Sequence, residues 1–133
     1  MSIKKKVPNE IVNSSKETIN SSKIKVHKDP LFNIGDIVKH RIYPFRGVIV
    51  DVDPEFSNTE EWYQSIPAEI RPSRNQPYYH LMAENTETFY TAYVSQQNLV
   101  DDGDNGPLDH PDLDEIFSGM EKGKYHLRNE VRN

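Results

Sequence analysis

Three stretches of the chain carry the period-two alternation of half-buried strands. From Gly47, the positions Val48, Val50 and Val52 fall on one face and Ile49, Asp51 and Asp53 on the other, until Asp53-Pro54 ends the run. From Tyr78 to Ala83, the positions Tyr78, His80 and Met82 oppose Tyr79, Leu81 and Ala83. From Thr88 to Val94, the positions Phe89, Thr91 and Tyr93 oppose Tyr90, Ala92 and Val94. A Gly35-Asp36 turn leading into Ile37–Ile42 predicts a further strand, Glu84–Glu87 a hairpin turn, and Gln96–Val100 a short turn that closes the sheet. The pattern predicts a mainly β fold, a small antiparallel barrel of SH3-like type. The last two long strands are apolar on both faces, so one face fills the barrel and the other meets an insert or a second subunit.

Residues 54–75 break the alternation. Asn58-Thr59-Glu60-Glu61 reads as a turn, Trp62, Tyr63 and Ile66 as a short helical turn packing back, and Pro67, Pro72 and Pro77 keep the rest irregular. An irregular insert of this length in so small a domain points to function. Beyond the acidic run that starts at Asp101, Leu113, Ile116, Phe117 and Met120 recur at helical spacing, and Pro111 suits a first helical position, so a C-terminal helix is expected. The expected organisation is a polar N-terminal tail over 1–30, a domain over 31–120, and a frayed end over 121–133.

Charge divides the chain. Residues 1–30 carry seven Lys against three acids, or +4, while residues 31–133 carry nine bases against eighteen acids, or −9. Duplex binding is driven by neutralising phosphates, so an acidic domain argues against a simple DNA-binding surface. There is no cysteine, which removes disulfides, thiolate zinc sites and thiol nucleophiles. No apolar run reaches the roughly 18 residues of a membrane span, and the reading is a cytoplasmic chain with no membrane association.

No catalytic constellation stands out. Asp51 and Asp53 form a carboxylate pair, for which the commoner explanation is a solvated strand end. His40, His80 and Asp51 are a conceivable metal triad without ligand spacing in the sequence, and structural histidines explain them better. Asp101–Asp112 resembles a calcium loop but has Gly103 at its third position and no helix before it. No catalytic residue, metal or cofactor is assigned. Two sets remain. Arg41, Arg46, Arg71 and Arg74 are candidates for nucleic-acid contact, and Trp62, Tyr63, Tyr78, Tyr79, His80, Tyr90 and Tyr93 for a partner or oligomer face.

The order Gly35-Asp36-Ile37-Val38-Lys39-His40, then Tyr43-Pro44-Phe45-Arg46-Gly47-Val48-Ile49-Val50-Asp51-Val52-Asp53-Pro54-Glu55-Phe56, then Gln76-Pro77-Tyr78-Tyr79-His80 resembles the bacterial heat-shock HspQ family, also described as the YccV-like hemimethylated-DNA-binding family. Thr91–Val94, Asn98-Leu99, His110-Pro111 and Leu113–Phe117 extend the resemblance to about residues 32–118. It implies a non-enzymatic heat-shock regulatory protein, a specificity factor for ATP-dependent Lon-type proteolysis linked to turnover of the replication initiator. The second implied activity is binding of hemimethylated DNA. It also implies a homo-oligomer, a trimer.

Overall fold

In the computed structural model, residues 26–129 are described. The tail expected over 1–30 lies outside them up to residue 25, as do residues 130–133. The strands are β1 (Ile37–His40), β2 (Arg46–Asp53), β3 (Tyr78–Glu84), β4 (Phe89–Ser95), β5 (Leu99–Asp101), β6 (Phe117–Glu121) and β7 (Lys124–Leu127), with short helices α1 (Glu60–Gln64) and α2 (Leu113–Ile116). The mainly β expectation holds. The main sheet is an antiparallel meander in the order β4-β3-β2-β1-β5, and β6 and β7 form a separate hairpin. The last strand of the meander returns beside the first, as a barrel requires, but no ladder joins the two edge strands among the described residues, so the sheet is curled rather than closed.

Adjacent residues of the sheet enter two different cores. Val38, Ile49, Leu81, Val94 and Leu99 join Tyr43, Phe45, Tyr79 and Tyr90 in the first. Ile37, Val48, Leu108, Leu113, Phe117 and Tyr125 make the second, on the opposite face. Each buried side chain of this size contributes about 1.5–3 kcal/mol, and covering both faces explains why the strands read as apolar on both.

The simple alternation expected for β2 is corrected by a bulge. The pairing steps from Ile49 opposite Leu81 to Asp51 opposite His80, and leaves Val50 as the extra residue. Ile49 and Val52, three apart, therefore both pack on the first core, while Val48 and Val50 pack on the second. Beyond the bulge, Asp51 and Asp53 pair with His80 and Tyr78 and share their face.

The expected C-terminal helix is also corrected. Only one turn, Leu113–Ile116, is helical, and the chain then forms the β6–β7 hairpin. Ser118-Gly119 weakens a helix at that point, and Lys122 and Gly123 take φ of 55° and 77°, the left-handed pair that a two-residue hairpin turn needs. Leu113 and Phe117 are buried in the second core and Ile116 and Met120 pack against it, so the apolar stripe is used although the helix is not. Ordered structure runs through Leu127 rather than fraying from Lys122.

Two long-range ties set the ends of the domain. Gln96, 4% exposed, accepts from the Leu31 amide (2.8 Å) and the Tyr79 hydroxyl through Oε1, and donates through Nε2 to the carbonyls of Asp29 (3.1 Å) and His27 (3.2 Å). The chain is thus held from His27 onward, ahead of the expected start. At the other end, the Tyr125 amide donates to the Gly35 carbonyl at 2.9 Å, and Gly35 has φ +98°. No helix among the described residues is long and apolar enough to cross a membrane.

His40 closes β1. Its ring is 7% exposed and stacks on Tyr43, and Nδ1 accepts from the amides of Ile42 and Tyr43, each at 3.0 Å. Burial, assisted by the neighbouring Arg41 charge, lowers its pKa from 6.5 to about 3. Because protonation favours the unfolded chain, the stability it contributes is complete above about pH 6.5 and declines as pH falls towards 3.

Three outcomes test these placements. Replacing Gly35 with Ala would set a Cβ 2.2 Å from the Tyr125 carbonyl oxygen at a left-handed φ, and urea unfolding should show a loss of about 2 kcal/mol or more. Gly119→Ala, with nothing within 4 Å of its added Cβ, should change stability by less than about 0.5 kcal/mol. The His40 ring should remain the Nε2–H tautomer, without a titration step between about pH 4.5 and 8 in nitrogen-15 spectra. A midpoint near the ordinary histidine value would show that the ring is not sealed.

Candidate functional site

The insert between β2 and β3 folds onto the outer face of the sheet. Thr59 caps α1 by accepting from the Trp62 amide at 3.0 Å, and Glu60 and Glu61 occupy the first turn, where a helix favours negative charge. The irregular return is held by side chains. Tyr63 donates to the Pro72 carbonyl (2.6 Å), Tyr78 to the Ser73 carbonyl (2.9 Å), and Arg71 to the Ile66 carbonyl through Nε (3.0 Å) and a terminal nitrogen (2.7 Å). Arg74 makes a two-pronged pair with Glu60 at 2.8 and 2.9 Å and lies 4.0 Å from the centre of the Tyr63 ring. That pair, through hydrogen bonds from Arg74 and then Gln64, lowers the Glu60 carboxyl to about 2.

Phe56 is the hub of the aromatic cluster. Its ring centre lies 5.0 Å from Tyr63, 5.2 Å from Tyr78, 5.8 Å from Trp62 and 6.0 Å from Tyr93. Tyr78 and Tyr93 stack at 5.3 Å, and Trp62 meets Tyr93 edge-on at 5.4 Å. Each such contact contributes about 0.5–1.5 kcal/mol beyond area burial, which fixes an insert with little regular structure of its own. Asp53 anchors the cluster from below. Its Oδ2 accepts from the Tyr93 hydroxyl (2.8 Å) and lies 3.0 Å from His80 Nε2, while the Ser57 amide donates to the Tyr93 oxygen (2.9 Å). Burial, first of all, pushes the Tyr93 and Tyr78 hydroxyls upward, so both remain protonated donors. Beside this ledge is a cavity of ≈ 480 Å3 bounded by Val50, Trp62, His80, Met82 and Tyr93.

Of the side chains expected on a partner face, Trp62, Tyr63, Tyr78, His80 and Tyr93 come together here, but Tyr63 and Tyr78 are buried, and only Trp62, His80 and Tyr93 are partly exposed. Tyr79 and Tyr90 do not join them. Both point into the first core, where burial pushes the Tyr90 hydroxyl up to about 12 and leaves it without a hydrogen-bond partner. The four arginines do not form one patch. Arg71 and Arg74 belong to the ledge, and their head groups are held by Glu60 and backbone carbonyls. Arg46 lies at the far end of β2, where it pairs with buried Asp102 at 2.6 Å and donates to the carbonyls of Gly106 (2.8 Å) and Pro107 (3.2 Å). Arg41 is exposed and forms no ion pair among the described residues.

His40 and His80 do not meet as the conceivable metal triad requires. Instead, Asp51, Asp53 and His80 bring one ligand atom each within 4.8 Å of one another, the one grouping among the described residues with metal-holding spacing. Hydrogen bonds within the fold account for much of it: Asp53 receives Tyr93, and Asp51 receives its own Val52 amide at 2.9 Å. Phe56 is the site residue that sequence reasoning passed over, and Asp53, weighed there as a solvated strand end, instead receives the Tyr93 hydroxyl. The signal for both was the Asp53-Pro54-Glu55-Phe56 run itself, in which an aromatic follows directly on a strand end.

Comparison with known proteins gives the family. The family described as "Hemimethylated DNA-binding protein YccV like" matches residues 30–124. F-box only protein 21 of Homo sapiens and of Pongo abelii is 31% identical over 104 residues, and that of Mus musculus 30%. The match covers 77% of this chain but 16% of each relative, so the chain spans about a sixth of the length of these proteins. No solved structure matches. With well over half of its length inside the matched span, the chain belongs to the YccV-like family.

Proposed function

We propose that this protein is a non-enzymatic recognition module, a heat-shock regulatory protein that gives specificity to ATP-dependent Lon-type proteolysis and bears on turnover of the replication initiator. The observation that carries the reading is the ledge. Aromatic rings are gathered on an outer sheet face, while the arginines beside them are already paired with Glu60 and with backbone carbonyls. Part-exposed aromatic surface whose cations are already paired suits a protein partner, whereas a duplex needs unpaired cations. The net charge of −5 points the same way. The reading includes a cytoplasmic homotrimer, as the family resemblance implies, with the part-exposed Trp62, His80 and Tyr93 facing a partner and buried Tyr63 and Tyr78 supporting them from beneath.

Binding of hemimethylated DNA is the second reading, favoured by the family's description and by exposed Lys39 and Arg41. These two cations, rather than all four arginines, are the phosphate contacts that this reading would use.

The test is degradation of initiator-type and heat-labile substrates by Lon-type protease, with and without excess protein. Wild type should change the degradation rate at least several-fold, and Trp62→Ala should remove most of that effect while leaving the fold intact. Rates that stay the same across the substrate panel would rule out the adaptor role.

A further inference from the structure

At the end of β2 away from the ledge lies a second cavity, of ≈ 550 Å3, between the β1–β2 loop and the β3–β4 turn. Its volume is that of a small-ligand pocket. His40, Tyr43 and Phe45 supply its apolar lining, and the three rings pack on one another, His40 on Tyr43 at 4.5 Å and on Phe45 at 5.3 Å.

The polar character of this cavity is mostly that of a donor. Two backbone amides donate to His40 Nδ1, so the proton of the neutral ring is on Nε2, which can only donate. No oxygen among the described residues accepts from it. Nor is it one of the sealed orphan groups, which are the Tyr90 hydroxyl and Ser95 Oγ. A ring more than nine-tenths buried thus presents one unused N–H to the cavity. Lys39 and Arg41 also line it, both exposed and neither in an ion pair among the described residues.

The acids of the lining are engaged within the fold. Asp102 is spent on Arg46, and Glu84 accepts from the Asp109 amide at 2.8 Å. They still limit the ligand. A phosphate dianion would meet two carboxylates and leave most of the volume empty. A monoanion on an apolar body would place its charge at His40 and Arg41 and its body on Tyr43 and Phe45.

We propose that this cavity binds a carboxylate carried on an apolar body, the group that a polypeptide presents at its C-terminal end when its last residue is hydrophobic. Arg41 pairs with the carboxylate, His40 Nε2–H donates to it, Lys39 adds field, and the aromatic lining takes the side chain. The site is separate from the ledge and stands whether or not the ledge meets a protein.

The experiment is a titration of backbone amide signals with N-acetyl-glycyl-leucine, its C-terminal amide, 4-methylpentanoate and inorganic phosphate. The acid peptide should shift Arg41, Phe45 and Thr86 saturably, with the amide weaker by about tenfold or more. Arg41→Gln, at an exposed position, should fold normally and weaken the acid peptide to a similar degree. Tighter binding of the peptide than of 4-methylpentanoate assigns the site to chain ends, and equal binding assigns the same chemistry to free acids. The proposal is overturned if the amide binds as well as the acid, if phosphate moves the same signals as strongly, or if nothing shifts up to about 10 mM.

Discussion

The extra residue in β2 is the constraint on which the rest of this structure depends. Without a bulge at Val50, the pairing of Ile49 with Leu81 would set Asp51 opposite Tyr79 and turn its carboxylate towards the first core. An unpaired charge there would cost several kcal/mol. With the bulge, Val52 enters that core instead, and Asp51 and Asp53 turn outward beside His80 and Tyr78. Asp53 can then receive the Tyr93 hydroxyl, Tyr93 can receive the Ser57 amide, and the insert has a polar anchor under its aromatic rings. One local irregularity thus connects core packing to the geometry of the outer face.

Electrostatics then separates the two ends of the sheet. At the ledge, Arg71 and Arg74 act as internal struts, crossing the insert to reach carbonyls and Glu60. The exposed pair of Arg74 with Glu60 contributes little to stability by itself. Its geometry matters more, because it lays the guanidinium over Tyr63 and uses the fork that a phosphate would need. At the other end, Arg46 compensates buried Asp102, a pair that is costly to break on one side only. Lys39 and Arg41, both exposed and outside the ion pairs among the described residues, lie next to the neutral donor His40. The surfaces suit different partners: one aromatic with its arginines paired, one small, concave and carrying Lys39 and Arg41.

Much of this was legible in the sequence where a signal is local. The alternation of β3 and β4 was read with the right faces, because neighbouring residues determine it. Trp62, Tyr63, Tyr78, His80 and Tyr93 lie together, since an insert between two strands must fold back on one of their faces. The bulge was hidden, because Val50 is β-branched and apolar and suits either side. Ser118-Gly119 and Lys122-Gly123 marked a hairpin, but the spacing of Leu113, Ile116, Phe117 and Met120 fitted a helix equally well, and those residues reach the same core in either form. The fate of the arginines was not legible. Arg46 finds Asp102 across 56 residues and Arg74 finds Glu60 across 14, and only tertiary structure brings such pairs together.

The central claim is that Arg71 and Arg74, the arginines beside the aromatic face, are engaged within the fold, so that this face suits protein rather than phosphate. The most direct test is the affinity of the protein for a hemimethylated duplex between about 50 and 200 mM salt, where each neutralised phosphate adds about 0.9 to the logarithmic slope. The account predicts that Arg71→Gln and Arg74→Gln leave this slope unchanged, with no measurable specific binding at physiological salt. A slope that falls by about 2 on those replacements, with tight methylation-dependent binding by the unaltered protein at about 150 mM, would contradict it.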